Sequence, residues 1–160
     1  MELTIIIPVY NVENHLSRCL DSIFVGNNID VEFEVIAVDD GSTDNSYGIL
    51  QEYAFRYKQL KIYHQENQGS SVARNKALDV ATGKYIMFVD SDDFVEKDSI
   101  NTILQEAIKT DIDILFYDFN IISEDGVKNR ASCPNFLENI VFTGEEYILR
   151  GSEISSPWKS

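Results

Sequence analysis

Residues 33–44 read Phe-Glu-Val-Ile-Ala-Val-Asp-Asp-Gly-Ser-Thr-Asp, an apolar run that stops in an acidic, turn-forming loop. The run, Phe33 to Val38, has the length of a β-strand, and Asp, Gly, Ser and Thr are the residues that turns demand. Beyond the loop, Leu50, Tyr53, Ala54 and Tyr57 recur at i, i+3, i+4 and i+7, the stripe of an amphipathic helix. One strand, one polar loop and one helix therefore follow in order.

The same unit repeats in both directions along the first 120 residues. The other apolar runs are Leu3 to Val9, Lys61 to His64, Tyr85 to Val89 and Ile112 to Phe119. Three of the runs are apolar on both faces, as buried parallel strands are. Helical stripes lie between them. Leu16, Cys19, Leu20 and Ile23 form one, with Asn11 as its cap. Ala73, Ala77, Leu78 and Ala81 form another, from about Ser71 to a stop at Gly83. Ile100, Ile103, Leu104 and Ala107 form the last of this series. Strand-helix alternation predicts an α/β fold, an open and mostly parallel sheet with helices on both faces. After Asn120 the pattern changes. Ser123 to Asn139 is polar, with an Asp125-Gly126 turn and Pro134, and reads as a hairpin or a loop. Thr143 and Glu146 have capping-box spacing for a final helix ending at Gly151.

Composition narrows the function. The 160-residue chain suits one domain overall. Its net charge of -14 and pI near 4.4 exclude nucleic acid as a partner, since phosphate backbones require a basic face. Anionic lipid headgroups repel such a surface as well. Cys19 and Cys133 have neither zinc nor redox spacing, and Cys19 reads as a small core residue, which fits a reducing compartment. No signal-peptide pattern opens the chain, and no apolar stretch is long enough to span a bilayer.

Ligands of open α/β sheets bind beyond the carboxyl ends of the strands. There the first run gives Pro8, Val9, Tyr10 and Asn11. The second gives Asp39, Asp40, Gly41, Ser42, Thr43 and Asp44. The fourth gives Asp90, Ser91, Asp92 and Asp93. Asp44 reads as a helix cap. The remaining carboxylates repel one another unless a cation offsets them, and oxygen-rich sites suit magnesium or manganese. Such a metal also explains how an acidic crevice accepts an anionic diphosphate. There is no dinucleotide fingerprint, Walker loop or nucleophile elbow. His15 reads as a helix-surface residue and His64 as a strand-end residue, neither with a role.

Four segments stand in order: Ile5-Ile6-Ile7-Pro8-Val9-Tyr10-Asn11, Val38-Asp39-Asp40-Gly41-Ser42-Thr43-Asp44, Asn67-Gln68-Gly69 with Ala73-Arg74-Asn75, and Phe88-Val89-Asp90-Ser91-Asp92-Asp93. In this order they resemble family 2 of the inverting glycosyltransferases, which have the GT-A fold, a Rossmann-like arrangement. The resemblance implies a nucleoside-diphosphate sugar as donor, a UDP-sugar in many relatives, and a glycan or lipid-linked acceptor. It places Tyr10 against the base, with Pro8 and Val9 shaping that wall. Asp39 would hydrogen-bond the base and Asp40 would support its loop. Arg74 would reach the nucleotide or diphosphate, Asp90 and Ser91 would lie on the donor side, and Asp92 with Asp90 would hold Mn2+ or Mg2+. Asp93 is a helper without a fixed role.

The resemblance divides the chain into a donor-binding region, 1–122, and the start of an acceptor-side region, 123–160. The family's catalytic base belongs to a Glu-Asp pair well downstream of the Asp-x-Asp loop. Glu124-Asp125 comes too early, so the base is expected beyond Ser160 and the 160-residue chain is expected to turn over poorly, if at all. By analogy with relatives that build surface polysaccharides, the expected location is cytoplasmic, peripheral to the membrane in the full-length protein. Two rival classes remain: a magnesium-dependent phosphoryl-transfer enzyme, and a non-catalytic module, either a nucleotide-sugar binder or a receiver-type signalling domain. Phosphatases with an acidic motif place it after the first strand, whereas Asp39 to Thr43 follows the second. Receiver domains need a late-strand lysine, and Lys128 and Lys159 are poorly placed for that.

Overall fold

The computed structural model describes residues 1–115, 117 and 119–122, and the backbone of 128–131. Residues 1–105 form one compact unit and 106–160 a second. In the first, the elements are β1 (Leu3–Val9), α1 (Glu13–Phe24), β2 (Phe33–Asp39), α2 (Ser46–Arg56), β3 (Leu60–His64), α3 (Ser70–Leu78), β4 (Tyr85–Phe88) and the start of α4 (Ser99–Thr110). The four strands make one parallel sheet in the order β3-β2-β1-β4.

The alternation of side chains along β1 explains why both faces are covered. Ile5, Ile7 and Val9 point to one face, where they pack with Leu16, Cys19, Leu20 and Ile23 of α1, Leu50 and Tyr53 of α2, and Ile100 and Leu104 of α4. Ile6 points to the other face, where it meets Ile36, Val38 and the alanines 73 and 77 of α3. Ile5, Ile6 and Ile7 are fully buried, and each contributes about 1.5–3 kcal/mol of apolar burial. The predicted α/β architecture, an open parallel sheet with helices on both faces, is the one observed.

One charge lies inside this apolar frame. Glu34 on β2 is 1% exposed. Its carboxylate accepts hydrogen bonds from Thr4 Oγ1 at 2.8 Å, the Thr82 N–H at 2.8 Å, Thr82 Oγ1 at 2.7 Å and Lys61 Nζ at 2.6 Å. Burial opposes its ionisation, but these donors outweigh burial and hold its pKa down at about 2.

Three expectations are corrected. Asn11 does not cap α1. Its backbone adopts a positive φ of 50°, and its side-chain oxygen accepts from the N–H groups of Thr43 and Asp44 instead. The cap comes from Asp44, whose carboxylate takes the N–H of Glu13 at 3.0 Å and that of Ser46 at 2.9 Å, serving the starts of both α1 and α2. The third helix ends at Leu78 rather than Ala81, because its last turn is taken up by Asp79 as C-cap. Among its described residues the run Ile112 to Phe119 does not form a fifth parallel strand. Residues 112–115 are irregular, and the strand forms later, as β5 (Phe119–Ile122), antiparallel to β6 (Lys128–Ala131) in the second unit. Asp111 and Asp113 flank the start of that run, and its apolar side chains Ile114 and Phe119 are 66% and 56% exposed, so apolar content alone did not place it in the parallel sheet.

The segment 123–127 with its Asp-Gly pair, Cys133, the helix expected from Thr143 to Gly151 and the stretch with Trp158 lie outside the described residues. No described helix is long and apolar enough to cross a membrane.

Candidate functional site

Strand order fixes where a ligand can enter. The chain runs outward from β1 to β2 to β3, then returns to the opposite side of β1 for β4. The strand order therefore reverses at β1, and ligands of such sheets bind beyond the carboxyl ends of the strands at that point. A cleft of about 380 Å³ lies there. Pro8, Val9 and Tyr10 leave β1 into it, Asp90, Ser91 and Asp92 leave β4 into it, and Asn67, Gly69, Ser70 and Arg74 enter from the start of α3. Asp40 completes the floor. Of the predicted donor-side and metal residues, the cleft brings together all but Asp39.

The acidic loop after β2 is mostly engaged in building the site. Asp40 is 2% exposed. Its carboxylate accepts from Gln65 Nε2 at 2.7 Å, the Gln68 N–H at 2.9 Å and the Gly69 N–H at 2.8 Å. Burial raises its pKa, and those three donors more than reverse the effect, so the net shift is downward. Asp40 thus fixes the turn that starts α3. Gly69 sits in that turn at φ 91°, and Gly41 in the preceding loop at φ 75°, a region glycine occupies without steric cost.

Asp39 is fully buried. Its oxygens meet the Ser42 N–H at 3.3 Å and Nδ1 of His64 at 2.7 Å. Asp39 does not line the cleft, so its expected contact with a base is not open in this structure. His64 was given no role from sequence. Its signal is positional: Asp39 and His64 are register partners on adjacent parallel strands, which shows only once the strand order is known. The sequence likewise assigns no role to Asn67 and Ser70, although the Asn67-Gln68-Gly69 motif marks the turn. His15 is exposed on α1, as expected.

The loop after β4 has the opposite character. Arg74 donates to Asp90 Oδ1, an ion pair across the cleft. Asp92 is exposed in the cleft, and only its backbone oxygen is used, by Arg18 at 3.4 Å. The Arg18 guanidinium also lies 4.5 Å over the Phe94 ring. Asp93 has its pKa raised, first by burial and then by the charges of Asp92 and Asp90, with Arg18 opposing. Cys19 backs the loop, its thiol 3.7 Å from the Asp90 carbonyl. Burial, reinforced by the Asp93, Asp92 and Asp90 charges, pushes that thiol to about 12. It stays protonated and acts as a small core group.

Among the described residues no group of three or more His, Cys, Asp or Glu side chains could cage a metal. The donor chemistry still fits one held jointly with substrate. Magnesium-type ions need only one or two carboxylates, with water and phosphate oxygens filling the shell. The Asp92 carboxylate, facing the cleft without a hydrogen-bond partner among the described residues, meets that requirement. Asp90 meets it less freely, because it is paired with Arg74.

An acidic cleft beyond the carboxyl ends of a parallel sheet, with Tyr10 on its wall and the Asp92 carboxylate open to it, places the chain among ligand-binding α/β proteins. The chain belongs to the family described as glycosyl transferase family 2, whose model matches residues 4–155. It is 41% identical over 122 residues to the glycosyltransferase GlyA of Streptococcus pneumoniae serotype 4, covering 74% of this chain and 17% of GlyA. The structure of S. aureus TarS 1-349 in complex with UDP-GlcNAc superposes with a TM-score of 0.62 at 35% identity, covering 68% of this chain and 32% of that one. The mannosyltransferase PcManGT from Pyrobaculum calidifontis, in complex with GDP-Man and Mn2+, gives a TM-score of 0.54 at 29% identity over 58% of this chain and 28% of that one. The fold is therefore GT-A and the family one of glycosyltransferases. The chain spans well under half the length of these relatives.

Proposed function

We propose that this chain binds a nucleoside-diphosphate sugar, a UDP-sugar, for transfer of the sugar to an acceptor hydroxyl with inversion. The observation that carries this reading is the convergence of Tyr10, Arg74 and the exposed Asp92 carboxylate in one cleft. Tyr10 offers a ring face to the base, with Pro8 and Val9 beside it. Arg74 reaches toward the diphosphate while paired with Asp90. Asp92, with Asp90, would hold Mn2+ or Mg2+, which would supply Lewis-acid stabilisation for the leaving diphosphate. The complexes of TarS with UDP-GlcNAc and of PcManGT with GDP-Man and Mn2+ support this assignment of ligand and ion.

In an inverting transfer the acceptor oxygen attacks the anomeric carbon from the face opposite the diphosphate. The bond from that carbon to the diphosphate breaks, and the acceptor's proton passes to a carboxylate base. We assign that base to none of the described residues. The acceptor we propose is a glycan or a lipid-linked glycan, handled near the membrane on its cytoplasmic side. A phosphoryl-transfer reading is disfavoured because the carboxylates after β2 are occupied: Asp39, Asp40 and Asp44 all accept hydrogen bonds from the chain itself.

Thermal unfolding with UDP, GDP, CDP and ADP, each with and without manganese, tests the proposal. A ligand at 100 times its Kd adds about 2.7 kcal/mol, enough to move the midpoint by several degrees. A manganese-dependent shift with UDP that disappears in Asp92→Ala is the expected result. Absence of a shift with every nucleotide, with or without metal, would sink it.

A further inference from the structure

His64 at the end of β3 carries no role in the donor site, yet three elements converge on it. From β2, its register partner Asp39 meets Nδ1 at 2.7 Å. From α2, the Tyr47 ring stands edge-on, with 5.6 Å between ring centroids. From α3, Lys76 Nζ donates to the His64 backbone oxygen at 2.7 Å. A carboxylate offers only acceptors, so the proton belongs on Nδ1 and the imidazole is the donor. The side chain is 57% exposed, so replacing it empties no core.

The bond leads on toward the cleft. Asp39 is fully buried. Among the described residues its carboxylate receives one hydrogen bond besides that of His64, from the Ser42 N–H at 3.3 Å. A buried carboxylate depends on such donors, and His64 is the closer of the two. Ser42 in turn accepts the Asn11 N–H on its Oγ at 3.0 Å. The Asn11 side-chain oxygen takes the N–H groups of Thr43 at 2.8 Å and Asp44 at 3.4 Å, so turn and loop are tied from both sides. Asn11 directly follows Tyr10, and its φ of 50° lies in the left-handed region. That region is costly for a residue other than glycine unless its surroundings hold it there. Three hydrogen bonds therefore run from the imidazole through Asp39 and Ser42 to the turn that carries Tyr10.

We infer that His64 is a positioning residue for nucleobase recognition: by donating to Asp39 it fixes the loop 41–44, which holds the Tyr10-Asn11 turn and with it the aromatic wall of the cleft. The inference rests on the donor-binding reading above, which sets a base against Tyr10, and deepens it. Asp39 then serves the base from behind that wall rather than by contact, in keeping with its place outside the cleft lining. The opposite wall is held separately. Asp40 ties down Gln68 and Gly69 at the start of α3 through its own side chain, and no bond of that set passes through His64. Loss of the imidazole should therefore disturb the base half of the cleft and spare the phosphate half.

Isothermal titration of UDP and of inorganic pyrophosphate, each with magnesium, tests this on four proteins: wild type, His64→Ala, His64→Asn and Ser42→Ala. The amide nitrogen of asparagine, like Nδ1 of histidine, is bonded to Cγ, so His64→Asn keeps a donor in the same place. Ser42→Ala removes the acceptor for Asn11 and leaves the Asp39–His64 pair whole, so it reports on the chain of bonds even if His64→Ala fails to fold. His64→Ala and Ser42→Ala should each weaken UDP about tenfold, part of what stacking on an aromatic face contributes, and leave pyrophosphate unchanged. His64→Asn should bind UDP within about twofold of wild type. A His64 that only stabilises the fold would lower the unfolding midpoint without changing the ratio of the two affinities. Wild-type UDP affinity in either alanine variant overturns the inference, as do equal losses for both ligands, or a His64→Asn as weak as His64→Ala; the donor-binding reading survives each of these. If UDP fails to bind wild type, the donor-binding reading itself has failed and the inference falls with it.

Discussion

Gly69 donates its backbone N–H to Oδ2 of Asp40 at 2.8 Å, tying the end of β2 to the residue that opens α3. Because Gly69 and Ser70 line the cleft, this bond sets the position of one cleft wall. Asp40→Ala leaves the donors of Gln65, Gln68 and Gly69 without their acceptor in a nearly buried place. We expect a stability loss of about 3 kcal/mol, read from urea unfolding, together with weaker UDP binding. The depressed pKa of Asp40 gives the linked pH effect its sign: its contribution is present above the ordinary carboxylate value and fades as the pH falls below it.

Glu34 makes the sharper pH prediction. Its folded pKa of about 2 lies below the ordinary 4.5, so the folded state binds the proton more weakly than the unfolded chain. The resulting stabilisation, about 3 kcal/mol, is complete above pH 4.5 and is lost as the pH falls from there toward 2. Glu34→Gln should therefore be the less stable protein at neutral pH, and its deficit should shrink toward zero near pH 2. Denaturant unfolding of both proteins across that range checks it, and a deficit that does not change with pH refutes it.

Glu34 also shows which parts of the fold were legible in the sequence. The runs that became β1, β2 and β4 were readable because each is largely apolar and followed by turn residues, and β3 because it fits the same strand-helix alternation. The stripes that became the helices were readable because a 3.6-residue period needs no knowledge of partners. What could not be read depended on partners far along the chain. Glu34 looks misplaced in a strand until Thr4, Lys61 and Thr82 arrive from distances of 30, 27 and 48 residues. His64 looked idle until β3 was placed beside β2, where it meets Asp39. Asn11 had the right residue type for a cap, but Asp44 reached that helix start from the neighbouring loop. The run at Ile112 had the apolar content of a strand, and content alone does not choose a partner or a direction. At the site the carboxylates were all visible, while the division of labour among them was not. The residues after β2 build the turn, and Asp92 after β4 stays open to the cleft.

Two glycines should respond differently to the same change. At Gly41 an added Cβ would come within 2.8 Å of the Asn67 backbone nitrogen, at a φ of 75°. At Gly69 the φ is 91° but nothing lies within 4 Å. Gly69→Ala should therefore cost only the conformational strain, about 1–2 kcal/mol. Gly41→Ala should cost more, because it also pushes the Asn67 segment away from the cleft it lines. Thermal and urea unfolding of the two variants gives the order, and equal losses would contradict the steric argument.

Tyr10 separates base recognition from phosphate binding. Tyr10 is 47% exposed at the end of β1, so Tyr10→Ala removes little packing and should change stability by no more than about 0.5 kcal/mol. An aromatic face against a nucleobase is worth about 1–3 kcal/mol by alanine substitution in single-stranded nucleic-acid sites. By that measure Tyr10→Ala should weaken UDP roughly tenfold or more, whereas Tyr10→Phe, which keeps the ring, should bind nearly as well as wild type. Pyrophosphate has no base, so its affinity should be the same in wild type and Tyr10→Ala. Titration of both ligands distinguishes the alternatives: equal losses for UDP and pyrophosphate would mean that Tyr10 acts by holding the cleft open, and loss for UDP alone places the base against its ring.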